Sequence, residues 1–517
     1  MTNTRSTIPL IIILSLFSFL INYYYGFKGV NPVDNFTNYN SGFNFLLDKY
    51  PFKDFWTATG PFLGLIQSLF FKLFGINWTA YVVHASFFNS IIAISLFLFL
   101  IKFRINRYLS LTYSILFSVI FYPPAGTPFV DHHSMVFTYL SFFLIIYALS
   151  YGKNYLFLFL PIIFLFGFFS KQTPIGYFFL LASPIIIYNF KKINIFYYVS
   201  FGSLISLVLF FIYIYFTKTS LIDIYYQYFL TTSEVGSYRL KNTSFSFYDV
   251  FFRYRFIYAS LLLLLYLAIK SKNFNKYFKI TKFEFVYLLL SINFIMIFHQ
   301  LLTMNQAFIY SLIFLNSGLC FKFIEYDKKK FFNNKLFFLL IIISVLICLR
   351  YHYKYNEPRR FNDLAYANKE QGINAGEYFP SLNNLDWFTN HTNDPKTEIE
   401  NLKEMYQILK MENKRYSLIT DYQFLSVELG RYGNFPIKWY HADVSFPNMR
   451  SIDNKVAQLA FSNFFIKQLK NNNIDKIYFV PPIRNRINLI NRIIKKNCII
   501  YETKIIKLYG EMSIKCL

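Results

Sequence analysis

Charge is scarce in this chain. Lys, Arg, Asp and Glu make up 15% of its 517 residues, against roughly 25% in soluble domains, while 55% of its residues are hydrophobic. That shortage excludes an ordinary soluble protein and points to an integral membrane protein. Acidic residues are the scarcer half: 27 Asp and Glu face 52 Lys and Arg, a formal charge of +25. The excess is not a nucleic-acid surface, because the lysines stand in short clusters between apolar stretches, the way cytoplasmic loops retain positive charge. Cysteine is nearly absent. Cys320 and Cys348 fall in apolar stretches and read as small core residues. Cys498 and Cys516 lie near the C-terminus, and no C-x-x-C pair or Cys/His cluster has metal-ligand spacing. P-loops and Gly-rich dinucleotide turns are missing, which argues against a nucleotide-sugar substrate. There is no internal repeat and no long low-complexity linker. The run IPLIIILSLFSFLINYYYGF after Arg5 lacks a small-residue cleavage site and is expected to stay as the first helix.

What is there is hydrophobic length. Apolar stretches near 8–25, 79–101, 108–124, 134–151, 155–170, 174–190, 194–216, 254–270, 283–302, 307–324 and 335–350 predict about eleven transmembrane helices. The segments between them alternate in character. One set is basic: Arg5, then Lys102, Arg104 and Arg107, Lys153, Lys191 and Lys192, the lysines between 270 and 282, and Lys328–Lys335. The other set holds Asp34, Asp48, Asp54, Asp131, His132, His133, Lys171, Gln172, Asp223, Glu234, Asn305 and Gln306. With the N-terminus inside, every basic segment falls in the cytoplasm, and an odd span count leaves the tail from about 351 outside. The chemically versatile residues then share the outer face. The expected architecture is an α-helical polytopic membrane protein, a transmembrane domain over 1–350 with its first outer loop at 26–78. A small extracytoplasmic α/β domain over 351–517 follows, because strands alternate with helices there.

Each outer residue has a functional and a plain reading. Asp34 in NPVDNF, near the end of the first helix, suits a general base held against aromatics, or an ordinary loop or cap aspartate. Asp54 in YPFKDFW equally suits a helix cap, and Asp48 has only a surface role. Asp131, His132 and His133 open a hydrophobic helix, as a polar cluster for an anion, metal or substrate hydroxyl, or as an N-cap with two interfacial histidines. Adjacent helical histidines point about 100° apart, which suits zinc poorly. Lys171 in FSKQTP runs against the outer-face charge trend and needs an anionic partner or a phosphate, unless it snorkels to the interface. Gln172 accompanies it. His299, Gln300, Asn305 and Gln306 can bind a sugar or satisfy broken helix ends. Arg239, Arg253 and Arg255 suit phosphate through their forked donors, or anchor lipid headgroups.

The stretch NPVDNFTNYNSGFNFLLDKYPFKDFWTATGPFLGLIQSLFFKLFG resembles the first outer loop of the GT-C superfamily of integral membrane glycosyltransferases. The likeness is to the bacterial relatives of protein O-mannosyltransferases and the lipid A aminoarabinose transferase: an Asp after helix one, an aromatic interfacial helix, P-(F/Y)-x-D-(F/Y), then Gly-Pro. It covers about 350 residues in architecture and loop one in motif. Asp34 stands in the place of the catalytic acidic residue and Asp54 in that of the later aspartate. The SKQT stretch resembles a Lys-Gln pair of some relatives, whereas Asn35 stands where many carry Glu. The resemblance implies inverting transfer of a sugar from a polyprenyl-phosphate donor to a glycan, lipid or protein acceptor at the outer face of a bacterial inner (plasma) membrane. It implies membrane lipids but no nucleic acid as partners, and no obligatory cofactor, leaving room for a divalent metal. A polytopic transporter or lipid-linked glycan flippase is the alternative, although paired inverted repeats are not seen.

Overall fold

The computed structural model describes residues 7–271, 274, 278–304, 307–324, 330–440, 455–481 and 483–516. Helices occupy all eleven apolar stretches. Among the described residues, six are long and apolar enough to cross a membrane: Ile8–Gly26, Trp78–Lys102, Val130–Tyr151, Ile193–Thr217, Lys282–Thr303 and Lys335–Asn362. The other five are the shorter Arg107–Phe121, Leu160–Phe168, Ile175–Tyr188, Arg255–Lys270 and Leu312–Ile324. At about 1.5 Å per residue these fall short of a ~30 Å hydrocarbon core. Of the eleven expected crossings, six are therefore of full length. A helix is the natural form of such stretches because it satisfies every backbone N–H and C=O within the segment. The helix Ile193–Thr217 leaves Phe201, Leu204 and Phe216 more than half exposed. A ring of apolar side chains that no protein covers is what a lipid-facing helix presents. The chain is a helical membrane protein with a small C-terminal sheet.

Contacts divide the chain into two units that interleave along the sequence. The first gathers Met1–Gly26, Val82–Phe210 and Thr243–Ala365, and the second Phe27–Tyr81, Phe211–Asn242 and Tyr366–Leu517. The first outer loop thus clusters with the tail rather than with the helices on either side of it.

Within the first unit, helices are stitched by short polar side chains. Asn89 donates to the Ser18 and Ser118 carbonyls (2.8 and 3.2 Å), Asn22 donates to the Ser86 hydroxyl (3.0 Å), and Asn293 and Asn316 exchange amide hydrogen bonds. With apolar surroundings on all sides, such bonds select the helix partner more than burial does. Gly26 marks one close approach: a Cβ there would meet Val82 Cγ1 at 2.3 Å and the Gly126 carbonyl at 2.7 Å. Buried Arg359 donates to the carbonyls of Pro123, Pro124 and Ala125, closing the loop that leads into Val130–Tyr151.

In the second unit, β1 (Ile373–Asn374) and β2 (Asp386–Trp387) form a small antiparallel pair. β3 (Tyr416–Thr420), β4 (Lys476–Val480), β5 (Cys498–Ile505) and β6 (Gly510–Cys516) form a mixed sheet in the order β3-β4-β6-β5. β3 and β4 run parallel with Tyr416 opposite Lys476, and they are almost wholly buried, as the runs YSLIT and KIYFV imply. The edge strand β5 is exposed and carries Glu502 and Lys504, which discourages further pairing. The helix Pro395–Met411 is anchored by half-buried Glu398, which accepts from Trp387 Nε1, the Thr389 hydroxyl and the Tyr422 hydroxyl.

Cys498 faces Cys516 across β5 and β6, and the two form a disulfide. Denatured but unreduced protein should therefore take up two alkyl groups, on Cys320 and Cys348, and four after reduction, as read by intact mass. Four without reduction would show that the bond is absent.

Candidate functional sites

In the second unit, Asn31 begins a π-helical turn, Pro32–Phe36, with its side chain accepting from Val33 N (3.2 Å). The Asn35 amide oxygen accepts from Asn31 N at 2.8 Å, and its backbone carbonyl accepts from the buried Tyr81 hydroxyl. Asn35 is thus used internally to close the turn. Its neighbour Asp34 is left half-buried.

An electrostatic partner of Asp34 is Lys438, 404 residues away in sequence. Lys438 is 5% exposed. Its backbone N–H donates to the Trp56 carbonyl (2.8 Å), its carbonyl accepts from Gln423 Nε2 (2.7 Å), and Trp56 N donates to Pro436 O (3.1 Å). Gln423 in turn accepts from Asn40 Nδ2 at 3.1 Å. The ammonium lies 3.5 Å from the Thr59 hydroxyl and 4.2 Å from the Trp439 ring centroid. Burial pushes its pKa down to about 7, and the negative charge of Asp34 works against that fall. An isolated lysine in the tail carries no sequence signal for this placement.

Asp54 has other partners. Its carboxylate accepts from Tyr50 N (2.8 Å) and lies 3.8 Å from Lys49, and its carbonyl accepts from the Tyr432 hydroxyl (3.0 Å). It closes the Tyr50–Asp54 turn. Arg239 sits half-buried in the last turn of Thr231–Asn242, in the same unit.

In the first unit, three of the sequence candidates meet. Asp131, 1% exposed in the first turn of Val130–Tyr151, holds Lys171 Nζ at 2.6 Å and His299 Nε2 at 2.8 Å on one carboxylate oxygen. Lys171 therefore finds its anionic partner inside the protein. Gln172 follows it, half-buried, accepting from Gly176 N through its carbonyl. His133 lies 2.8 Å from the Tyr122 hydroxyl and 2.9 Å from His84 Nε2, so one proton sits between the two imidazoles when neither is charged. His132 is boxed by the rings of Tyr122, Phe308 and Phe361. His84, a single histidine in an apolar run, was not a sequence candidate. Gln306 lies outside the described residues. Among the described residues, no group of three or more His, Cys, Asp or Glu is placed to hold a metal ion.

Arg253 and Arg255 come together with two cations that sequence reasoning missed, Arg350 and Lys354. The four line a 250 Å³ pocket with Tyr248, Phe252, Tyr310, Tyr351 and Tyr355. Arg253 is held by Asp249 at 2.8 Å, and Arg255 donates to the Phe252 carbonyl at 2.9 Å. Arg350 and Lys354 stand four residues apart, one turn along the chain's last membrane helix. Both were legible as cations at the end of a span expected to finish outside. Val250 and Tyr258 of the same segment line a 350 Å³ groove with Leu290, Phe294 and Ile297 that is almost wholly apolar.

These features define a helical membrane protein with a cation-lined pocket and a half-buried loop carboxylate. No family model and no curated protein matches the chain.

Two outcomes follow. Lys171→Met strands the Asp131 carboxylate in a dry interior and should cost about 3–5 kcal/mol, the scale for breaking one side of a buried pair. Adding Asp131→Asn should restore part of the loss, as read by thermal unfolding in detergent; a neutral Lys171→Met would show that the pair is solvated. For Lys438, the folded pKa near 7 lies below the ordinary lysine value of 10.5. Between those values the unfolded chain holds a proton that the folded chain lacks, so this group makes stability rise with pH across that window and level off below about 7. Lys438→Met should unfold at a higher temperature at pH 7 and flatten that rise. An unchanged pH profile in Lys438→Met would assign the rise to other groups.

Proposed function

We propose that this chain is a membrane glycosyltransferase that moves a sugar from a polyprenyl-phosphate donor to a glycan, lipid or protein acceptor at the outer membrane face. The observation that carries the reading is the pocket of Arg253, Arg255, Arg350 and Lys354 together with an apolar groove, both walled by residues of the 245–258 segment. A phosphate on a long hydrocarbon has these two needs together. Arg255 opens the helix Arg255–Lys270, where the macrodipole already disfavours a cation, so an anion relieves the repulsion. On the proposed topology these cations lie outside, against the positive-inside trend, which marks them as functional rather than topological.

Asp34 is the proposed base. Its carboxylate takes the proton of the acceptor hydroxyl as that oxygen bonds to the anomeric carbon. The bond from that carbon to the phosphate oxygen breaks, and the lipid phosphate leaves with the electron pair and inverts the centre. Asp54 orders the loop. The resemblance of loop one to the GT-C transferases supports these roles, and the Cys498–Cys516 disulfide supports a tail outside the cytoplasm of a bacterial plasma membrane. The tail reaches that side only if the shorter helices add an odd number of crossings to the six of full length.

A transporter or flippase is the second reading. The buried chain Tyr122–His133–His84 favours it, since titratable side chains inside membrane helices mark proton relays. The two part on turnover. Purified protein given a polyprenyl-phosphate sugar should transfer it, and Asp34→Asn should lower the rate by about 10²–10⁴ while leaving donor binding intact. Near-normal transfer by Asp34→Asn removes Asp34 as base. Lipid flux in proteoliposomes without any transfer would establish the second reading instead.

A further inference from the structure

The charge lining the pocket exceeds what a single phosphate group needs. Four cationic side chains line it, and no carboxylate does so. The recorded ion pair among them joins Arg253 to Asp249, which lies outside the lining. Arg350 rests near the Phe256 ring and Lys354 near the Tyr355 ring, neither with a carboxylate partner among the described residues. Like charges gathered in this way repel, and an anion that joins them relieves the repulsion. A sugar–lipid phosphodiester carries one negative charge, whereas the corresponding diphosphate carries two before transfer and about three after it. Size points the same way. A phosphate group displaces roughly two or three waters, on the order of 60–90 Å³, so a 250 Å³ pocket has room for two phosphates in a row. The tyrosine hydroxyls add neutral donors: Tyr355 Oη lies 3.4 Å from Tyr310 Oη.

We infer that the pocket binds a diphosphate, the headgroup of a lipid-linked diphosphate, with Arg253 and Arg255 at one phosphate and Arg350 and Lys354 at the other. This rests on the reading of the chain as an enzyme of lipid-linked phosphates and narrows its donor class.

The test is equilibrium binding to the purified full chain in nanodiscs, with farnesyl diphosphate, farnesyl monophosphate and inorganic diphosphate as probes. Farnesyl diphosphate should bind about tenfold or more tighter than the monophosphate, the scale of one or two charge-assisted hydrogen bonds. Inorganic diphosphate should bind far more weakly than the farnesyl form. The double variant Arg350→Gln/Lys354→Gln, which removes exposed side chains, should abolish the diphosphate preference, weakening farnesyl diphosphate about tenfold or more beyond its effect on the monophosphate. An unchanged thermal unfolding temperature in detergent shows that the variant is folded. Equal affinity for the two lipids, or a preference that survives the double variant, overturns the diphosphate assignment but leaves the lipid-phosphate reading standing. Inorganic diphosphate binding as tightly as the farnesyl form overturns the lipid headgroup as its source. Failure of both farnesyl compounds to bind removes the lipid-phosphate reading together with the inference.

Discussion

A carboxylate buried among membrane helices must be answered by positive charge, and Asp131 is answered twice. Lys171 and His299 both reach its Oδ1, from the turn after Leu160–Phe168 and from the helix Lys282–Thr303. In a low-dielectric interior an unpaired charge costs far more than any single packing contact returns. Three segments of the first unit are therefore tied in one register, and a helix sliding by a turn would strand a charge. The asparagine and serine bonds between helices add smaller constraints of the same kind. Next to this cluster the imidazoles of His133 and His84 share a hydrogen bond, so the polar interior continues beyond the ion pair.

The second unit solves a different problem. The first outer loop packs Tyr39, Phe71, Trp78 and Tyr81 into an aromatic cluster of its own, and the tail adds hydrogen bonds to it. Trp56 and the 436–438 segment exchange backbone hydrogen bonds, and Asn40, Gln423 and Ser426 form a buried amide–hydroxyl network. Held in this way, the loop presents Asp34 half-buried, with the buried Lys438 amine as an electrostatic partner. Asn35, which departs from the pattern of the resembled family, closes the turn through its amide oxygen, which accepts from Asn31 N.

The cation pocket shows the value of reading charge against position. Lysine and arginine on the basic loops have a topological reason to be where they are. Arg253, Arg255, Arg350 and Lys354 lie off the basic loops of the proposed topology, and they converge on one 250 Å³ space. Lys171 broke the same trend, yet its charge is met by Asp131. A cation out of place thus signals a partner without saying whether that partner is protein or ligand.

What the sequence by itself determined is the membrane class, the positions of the helices and the strand–helix alternation of the tail. These follow from local quantities: apolar length, the backbone's need for internal hydrogen bonds, and hydrophobic period. The strand β6, GEMSIKC, is held by its pairing with β4 and β5. Only the tertiary structure decided that Asp131 meets Lys171 and His299, that Lys438 sits by Asp34, that Asp54 serves its own turn, and that four cations share a pocket. Each of these is a through-space electrostatic or hydrogen-bond relation between residues that are distant along the chain, or whose local patterns allow several partners. Coulomb energy depends on separation and local dielectric, and neither can be read from spacing in the chain.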